Sequence, residues 1–378
     1  SGFTTTGATV VSDVEGLTKG SLFWRSFSHW IGGMGVLVFL LAIVPMAGGS
    51  HMNLMKAESP GPSVGKLVPK VRQTAKYLYI IYFALTMIEV IFLLFGGMNL
   101  FEALTTSFGT AGTGGFAIWN DGFVSVSPYN QWVVTIFMLL FGVNFGFYFL
   151  ILTGKLRDAL KFEEVRIYFI IVIAAAVFIF INLRHFALYA PAEGIRQAFF
   201  QVASIITTTG FASADFNLWP ETSRTILVLL MFIGACAGST GGGIKVSRFI
   251  IACKSFIKEI ISYLHPRSVK KIKIEGKPLE HETLRATNVY FMTYMVIFAV
   301  SVLLVSIENK DLVTNFAAVA ATFNNIGPGL SLVGPMANFG HFTDFTKYIL
   351  MFDMLAGRLE IFPMMLLFCP AVWKRRRA

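Results

Sequence analysis

Long apolar stretches constrain this chain more than any other feature. Crossing the hydrocarbon of a bilayer takes about 20 predominantly apolar residues in one helix. Stretches of that kind lie near 26–46, 77–97, 131–153, 167–189, 223–257, 287–307 and 346–373. Shorter apolar pieces at 99–110, 192–206 and 311–323 cannot cross and read as re-entrant helices. Composition agrees: 55% of the residues are hydrophobic and 14% charged, where soluble chains carry about 25% charge. A soluble enzyme, a disordered chain and a nucleic-acid binder are excluded on that ground, and the expected surroundings are a lipid bilayer. Cys236, Cys253 and Cys369 have no metal-ligand spacing, and their odd number argues against a disulfide framework. The chain opens Ser1-Gly-Phe-Thr-Thr-Thr-Gly7, without Met or a signal peptide, and reads as one entered in mid-domain.

Lys and Arg set the orientation. Segments 47–76, 154–166 and 245–285 and the tail Lys374–Arg377 hold most of the 31 basic residues, so these sides are expected to be cytoplasmic. Asp13, Glu15, Asp121, Glu193, Asp215, Glu221 and Asp344 lie in the alternate connections, on the outer side.

Four short pieces align on a glycine: Thr4-Thr5-Thr6-Gly7, Ala111-Gly112-Thr113-Gly114, Thr207-Thr208-Thr209-Gly210 and Asn324-Asn325-Ile326-Gly327. Three follow a long span and a short apolar helix and precede a second span; the first has only its turn and second span. The unit is therefore span, short helix, turn, span. It divides the chain into 1–56, 57–160, 161–285 and 286–378. One Thr/Gly turn alone would be a surface loop; four in equivalent places point to a shared site. Non-helical backbone at membrane depth persists only where it is buried or lines a wet cavity. Four such turns around one axis put carbonyl oxygens where they replace the hydration shell of a cation. Short helices running inward aim their negative C-terminal ends at that centre. Asn99, with Glu102 three residues on, and Asp311 are expected to cap two of these helices.

With these pieces in view, the chain resembles the TrkH/KtrB/HKT superfamily of potassium transporters, and within it the bacterial TrkH branch. Further carriers of the resemblance are Gln201–Gly210, Gly238-Ser-Thr-Gly-Gly-Gly-Ile-Lys245, Ala321–Gly329 and Gly357-Arg-Leu-Glu-Ile-Phe362. It implies an all-α membrane protein with fourfold pseudosymmetry around one K⁺-channel-like pore. It implies a homodimer in the bacterial inner membrane with a cytosolic TrkA-type nucleotide-binding ring as partner. Carried over by position, the K⁺-binding filter would be Thr4, Thr5, Thr6, Gly7, Ala111, Gly112, Thr113, Gly114, Thr207, Thr208, Thr209, Gly210, Asn324, Asn325, Ile326 and Gly327. The second and fourth turns depart from Thr-Thr-x-Gly, which backbone ligands survive and hydroxyl ligands do not.

The break at Gly234–Gly243 holds five glycines in ten residues, each costing about 1 kcal/mol relative to Ala in a helix. A hinge or a close helix crossing is one reading. The resemblance favours a gate beneath the filter, built from Gly234, Gly238, Ser239, Thr240, Gly241, Gly242, Gly243 and Lys245. A phosphate-binding loop is excluded because Ile244 separates Gly243 from Lys245. Arg358 lies within the last span and must face water or an acid; the resemblance puts it under the filter. Glu89 is intramembrane and reads as a buried, hydrogen-bonded structural acid in preference to a proton-titrating one. His29, His185, His265, His281 and His341 show no ligand spacing, and no catalytic constellation or cofactor motif appears. Function is expected to be gated, K⁺-selective uptake driven by the membrane potential; the alternative is a symporter coupling K⁺ to H⁺ or Na⁺. Repeats of parallel topology favour the pore, since coupled carriers are commonly built on inverted repeats.

Overall fold

A computed structural model describes residues 1–35, 71–265, 271–275, 277–279, 281–359 and 361–368. The first repeat contributes the turn around Thr5 and helix α1 (Lys19–Trp30), continued by a π-helical turn, Ile31–Gly35. The second has α2 (Val71–Phe95), the short α3 (Leu100–Gly112), α4 (Pro128–Phe141) and α5 (Phe145–Leu152). After the single turn α6 (Leu156–Ala159), the third has α7 (Glu163–His185), α8 (Pro191–Ile206), α9 (Glu221–Met231) and α10 (Val246–Leu264). A two-stranded antiparallel hairpin, β1 (Lys273–Ile274) with β2 (Lys277–Pro278), follows. The fourth has α11 (His281–Val305), α12 (Leu312–Phe323), α13 (Asp344–Arg358) and α14 (Ile361–Leu367). The boundary expected at 285 thus falls inside α11, and the one at 56 lies outside the described residues.

Three helices among those described are long and apolar enough to cross alone: Lys76–Phe95, Glu163–His185 and His281–Glu308. They are apolar all round, yet only 33%, 33% and 28% of their apolar windows are buried. The remainder, including Phe83, Ile91, Ile170, Phe178, Met292 and Leu303, forms the lipid-facing exterior.

Three expected spans are broken. The stretch 131–153 is not one helix: α4 and α5 meet at 89°. Asn144 starts the new helix by accepting from Gly146 N–H at 2.8 Å. The backbone groups freed at the bend pair with the glycine loop, Cys236 N–H to the Gly142 carbonyl and Phe145 N–H to the Gly238 carbonyl, both at 3.0 Å. Such rescue is what lets a helix break at membrane depth. The stretch 223–257 is α9 and α10 with the glycine loop between them, and the last stretch breaks between α13 and α14.

The three short helices are where the sequence places them. Asn99 and Glu102 form a full capping box on α3, and Asp311 caps α12 by accepting from Thr314 N–H at 2.8 Å. Each short helix packs against a span of its own repeat and the second span of the preceding one: α3 on α2 and α1, α8 on α7 and α4, α12 on α11 and α9. The Thr314 hydroxyl holds the Asp311 carboxyl below its usual value of 3.8. A depressed carboxyl stabilises the fold above its unfolded pKa, and that contribution is lost as pH falls through the lower folded value. Thermal stability should therefore fall on acidification below about pH 4. Asp311→Asn, which keeps a capping oxygen, should flatten that dependence in a melting series from pH 7 to pH 3.

Candidate functional site: four turns and a glycine loop

At the inner end of each turn one residue adopts left-handed backbone: Thr5 (φ 54), Thr113 (φ 53), Thr208 (φ 58) and Asn325 (φ 55). Threonine is β-branched and rarely found there, so three of these are backbone outliers, a kind of strain that clusters at functional sites. Each donates its N–H three residues back, Thr5 to Gly2, Thr113 to Thr110, Thr208 to Ile205 and Asn325 to Thr322, at 3.0–3.1 Å. The next residue donates five back, Thr6 to Ser1, Gly114 to Gly109, Thr209 to Ser204 and Ile326 to Ala321, at 2.8–3.0 Å. This pair of bonds is the Schellman motif; it ends α3, α8 and α12 and recurs in the turn at Thr5–Thr6.

The repeated geometry corrects the alignment of the second turn by one residue. Thr113, not Gly112, matches Thr5, Thr208 and Asn325. The second left-handed position is Gly7 (φ 77), Gly115 (φ 75), Gly210 (φ 82) and Gly327 (φ 96), so Gly115 rather than Gly114 is the equivalent glycine. Gly112-Thr113-Gly114-Gly115 thus replaces the turn read from Ala111. Ala111 is an ordinary buried residue of α3. The sequence Gly-Thr-Gly-Gly offers two glycines to align on, and only the backbone chooses between them.

These glycines close a ring. A Cβ on Gly7 would overlap the carbonyl oxygen of Gly114, on Gly115 that of Thr209, on Gly210 that of Ile326, and on Gly327 that of Thr6. Each repeat lays one carbonyl against the glycine of its neighbour, and the fourth returns to the first. Among the described residues no hydrogen bond reaches the carbonyl oxygens of Thr5, Thr6, Thr113, Gly114, Thr208, Thr209, Asn325 or Ile326. Backbone oxygens in a protein interior are seldom left so, and those of the second, third and fourth turns sit at the negative ends of α3, α8 and α12. Among the described residues no group of His, Cys, Asp or Glu converges on a metal position; the arrangement offers backbone oxygen, suited to a hard cation.

Most threonine hydroxyls brace the turns. Thr4 pairs with Thr6 at 2.9 Å and Thr207 with Thr209 at 2.7 Å. Asn325 Nδ2 donates to Thr6 Oγ1 at 3.0 Å and to the Met354 carbonyl at 2.9 Å, tying the fourth turn to the first. His29 shows no signal in the sequence, yet it is fully buried and ties the first turn to the second. Its Nδ1 donates to the Gly2 carbonyl at 2.9 Å and its Nε2 accepts from Phe116 N–H at 3.3 Å.

The glycine loop lies directly beneath. Gly234, Gly238 and Gly243 take positive φ (75, 68 and 73), which only glycine adopts freely. Gly242 N–H donates to Thr208 Oγ1 at 2.6 Å, and Thr113 Oγ1 donates to the Thr240 carbonyl at 2.9 Å. Gly241 and Gly242 have no room for a Cβ against the Thr207 and Asn324 carbonyls. Ser239 Oγ bonds the Cys236 carbonyl, and the buried Lys245 ammonium donates to the Gly241 carbonyl. Arg358 crosses from α13 to the same point. Its Nη1 donates to the Thr240 carbonyl at 2.8 Å, and its Nη2 to the carbonyls of Gly32 and Gly33 at 2.5 and 2.6 Å. Parts of all four repeats meet there. Glu360 lies outside the described residues, and the backbone carbonyls supply the acceptors expected of water or an acid.

The family TrkH, described as a cation transport protein, matches residues 1–375. The chain belongs to the TrkH family of cation transport proteins. It is 38% identical to the Trk system potassium uptake protein TrkH of Escherichia coli K12, covering 99% of this chain and 78% of that one. It is 32% identical to the Trk system potassium uptake protein TrkG of the same strain, covering 99% and 77%. The crystal structure of the potassium transporter TrkH from Vibrio parahaemolyticus superposes with a TM-score of 0.86 at 34% identity, over 99% of this chain and 77% of that one. The all-α fold of span, short helix and turn is thus the TrkH fold, with its fourfold pseudosymmetry, and the protein is a membrane-embedded transport protein rather than an enzyme.

Proposed function

We propose that this TrkH-family chain takes up potassium through a gated, K⁺-selective pore. The carrying observation is the closed ring of four repeated turns, at each of which two successive carbonyl oxygens accept no hydrogen bond among the described residues. In this reading K⁺ binds the carbonyls of Thr4–Thr6, Gly112–Gly114, Thr207–Thr209 and Asn324–Ile326, and Gly7, Gly115, Gly210 and Gly327 let the backbone turn. The Gly234–Gly243 loop, bonded to Thr208 and Thr113 of that ring, and Arg358, bonded to the loop, are the closed gate. The membrane potential supplies about 2.3 kcal/mol per charge per 100 mV, enough to drive uptake without a coupling ion. With one left-handed glycine per turn, against two in the Thr-Val-Gly-Tyr-Gly filter of K⁺ channels, selectivity should be K⁺ and Rb⁺ over Na⁺ and Li⁺, and weaker than in those channels. Reversal potentials in bilayers under K⁺, Na⁺ and H⁺ gradients test this. A potential that follows the K⁺ gradient alone supports the pore; one displaced by an H⁺ or Na⁺ gradient supports a symporter.

The same reading places the protein in the bacterial inner membrane as a homodimer with a cytosolic nucleotide-binding ring. The names of the relatives, which speak of a Trk system, support a multicomponent assembly. The 245–285 segment is the docking site in this proposal, because it joins the glycine loop to the fourth repeat and carries Lys271 and Lys273 beside the exposed hairpin. Neutralising Lys270, which lies outside the described residues, together with Lys271 and Lys273 should weaken ring binding about tenfold, measured by pull-down and by flux. Unchanged affinity and flux control would leave these lysines as topology signals only.

A further inference from the structure

The glycine loop is held in two halves by different parts of the molecule. Residues 240–243 hang beneath the filter. Residues 235–238 are moored to the scaffold, by the two bonds to the bend between α4 and α5 and by Val246 N–H donating to the Ala235 carbonyl at 3.0 Å. One side chain completes the mooring. Glu164, the second residue of α7, is 7% exposed. Its Oε1 accepts from Ala237 N–H at 2.7 Å and from Ser247 N–H at 2.9 Å. Ala237 belongs to the loop and Ser247 to the first turn of α10. A single carboxylate oxygen on a third element therefore joins the loop to the helix that leaves it. A carboxylate so deeply buried persists only where such bonds replace water, and bonds to an ionised acceptor are the stronger kind. The α10 dipole favours a negative charge at that end as well.

The neighbouring residue, Glu163, faces the basic 245–285 segment. Lys254 of α10 meets Glu163 at 2.6 Å and donates to the Lys273 carbonyl of β1 at 2.7 Å. The turn of α7 that holds the loop is thus the turn tied to the hairpin.

We propose that Glu164 is the latch of the gate, a positioning residue that keeps the loop beneath the filter until α10 moves against α7. This rests on the pore reading above. Movement of α10 against α7 strains the Ser247 bond directly and, through the Val246–Ala235 bond, the Ala237 bond; their loss loosens residues 235–238 and with them the plug.

The test uses the full chain reconstituted in liposomes, with two readouts. One is K⁺ flux together with K⁺/Na⁺ selectivity. The other is the rate at which N-ethylmaleimide labels Cys236, resolved by peptide mass spectrometry. Cys236 is buried inside the loop, and the exposed Cys253 controls for reagent. Glu164→Ala should raise flux and Cys236 labelling tenfold or more with selectivity unchanged. Glu164→Gln, whose amide oxygen still accepts both bonds, should restore behaviour close to wild type. Ser247→Pro removes one donor at a helix turn that tolerates proline and should raise labelling severalfold. Wild-type labelling in inserted Glu164→Ala overturns the latch; should that variant fail to insert, wild-type labelling in Ser247→Pro overturns it. Deleting part of Gly241–Gly243 separates the two readings. If the deletion raises flux and Glu164→Ala changes nothing, the latch alone fails. If labelling rises in Glu164→Ala while neither variant changes flux, the latch stands and the pore gate fails.

Discussion

Arg358→Ala should raise K⁺ flux by about tenfold or more and loosen gating in protein shown to be inserted. The guanidinium holds the Thr240 carbonyl on one side and the Gly32 and Gly33 carbonyls on the other. Hydrogen bonds from a charged donor contribute about 1.5–3 kcal/mol each, and each 1.4 kcal/mol is about a factor of ten in an equilibrium. Losing the one bond to the loop is therefore enough to shift the closed state. Removing the cation also removes repulsion of K⁺ at a narrow point where water screens poorly. Deleting part of Gly241–Gly243 should raise open probability too. Because Arg358 bonds to the same loop, the double change should be less than additive. Single-channel recording of the two single variants and the double checks this. Abolished flux in folded, inserted Arg358→Ala would make the arginine a strut that joins α13 to the first repeat, and not part of the gate.

Gly115→Ser should degrade K⁺/Na⁺ selectivity as severely as Gly210→Ser. Both glycines have positive φ, and at both a Cβ would overlap the carbonyl oxygen of the next repeat. Backbone strain of about 1–3 kcal/mol then adds to a contact that one wall of the ring must move to relieve. Gly114→Ser differs, because its Cβ would meet the His29 ring and not a carbonyl. Pairing it with His29→Ala should recover part of the loss, whereas the same pairing should not rescue Gly115→Ser. Bi-ionic reversal potentials decide. An unchanged permeability ratio in Gly115→Ser would refute the one-residue correction of the second turn.

Much of this protein is legible in local sequence because it rests on local physics. The short helices α3, α8 and α12 follow from their length, their apolar character and, for two of them, the caps at Asn99 and Asp311. The turns follow from glycine and threonine at a helix end. Glu164 carries no such signal: it opens a span beside another glutamate, and both its partners are backbone N–H groups, which any sequence provides. Glu89 is a fully buried residue of α2, and His29 proves to be a brace between two turns.

By itself the sequence determined that the chain lies in a membrane, that its unit of span, short helix and turn recurs, and that a glycine-rich break interrupts the third repeat. Hydrophobic length, capping and the conformational freedom of glycine act within a few residues, so they can be read there. Only the tertiary structure decided which glycine of Gly112–Gly115 joins the ring, that 131–153 breaks at 89°, and that Arg358 and Glu164 hold the loop at Thr240 and at Ala237. Each of these depends on a backbone carbonyl or N–H brought close from a distant part of the chain. Those groups are the same in every residue, and only their position in space selects a partner.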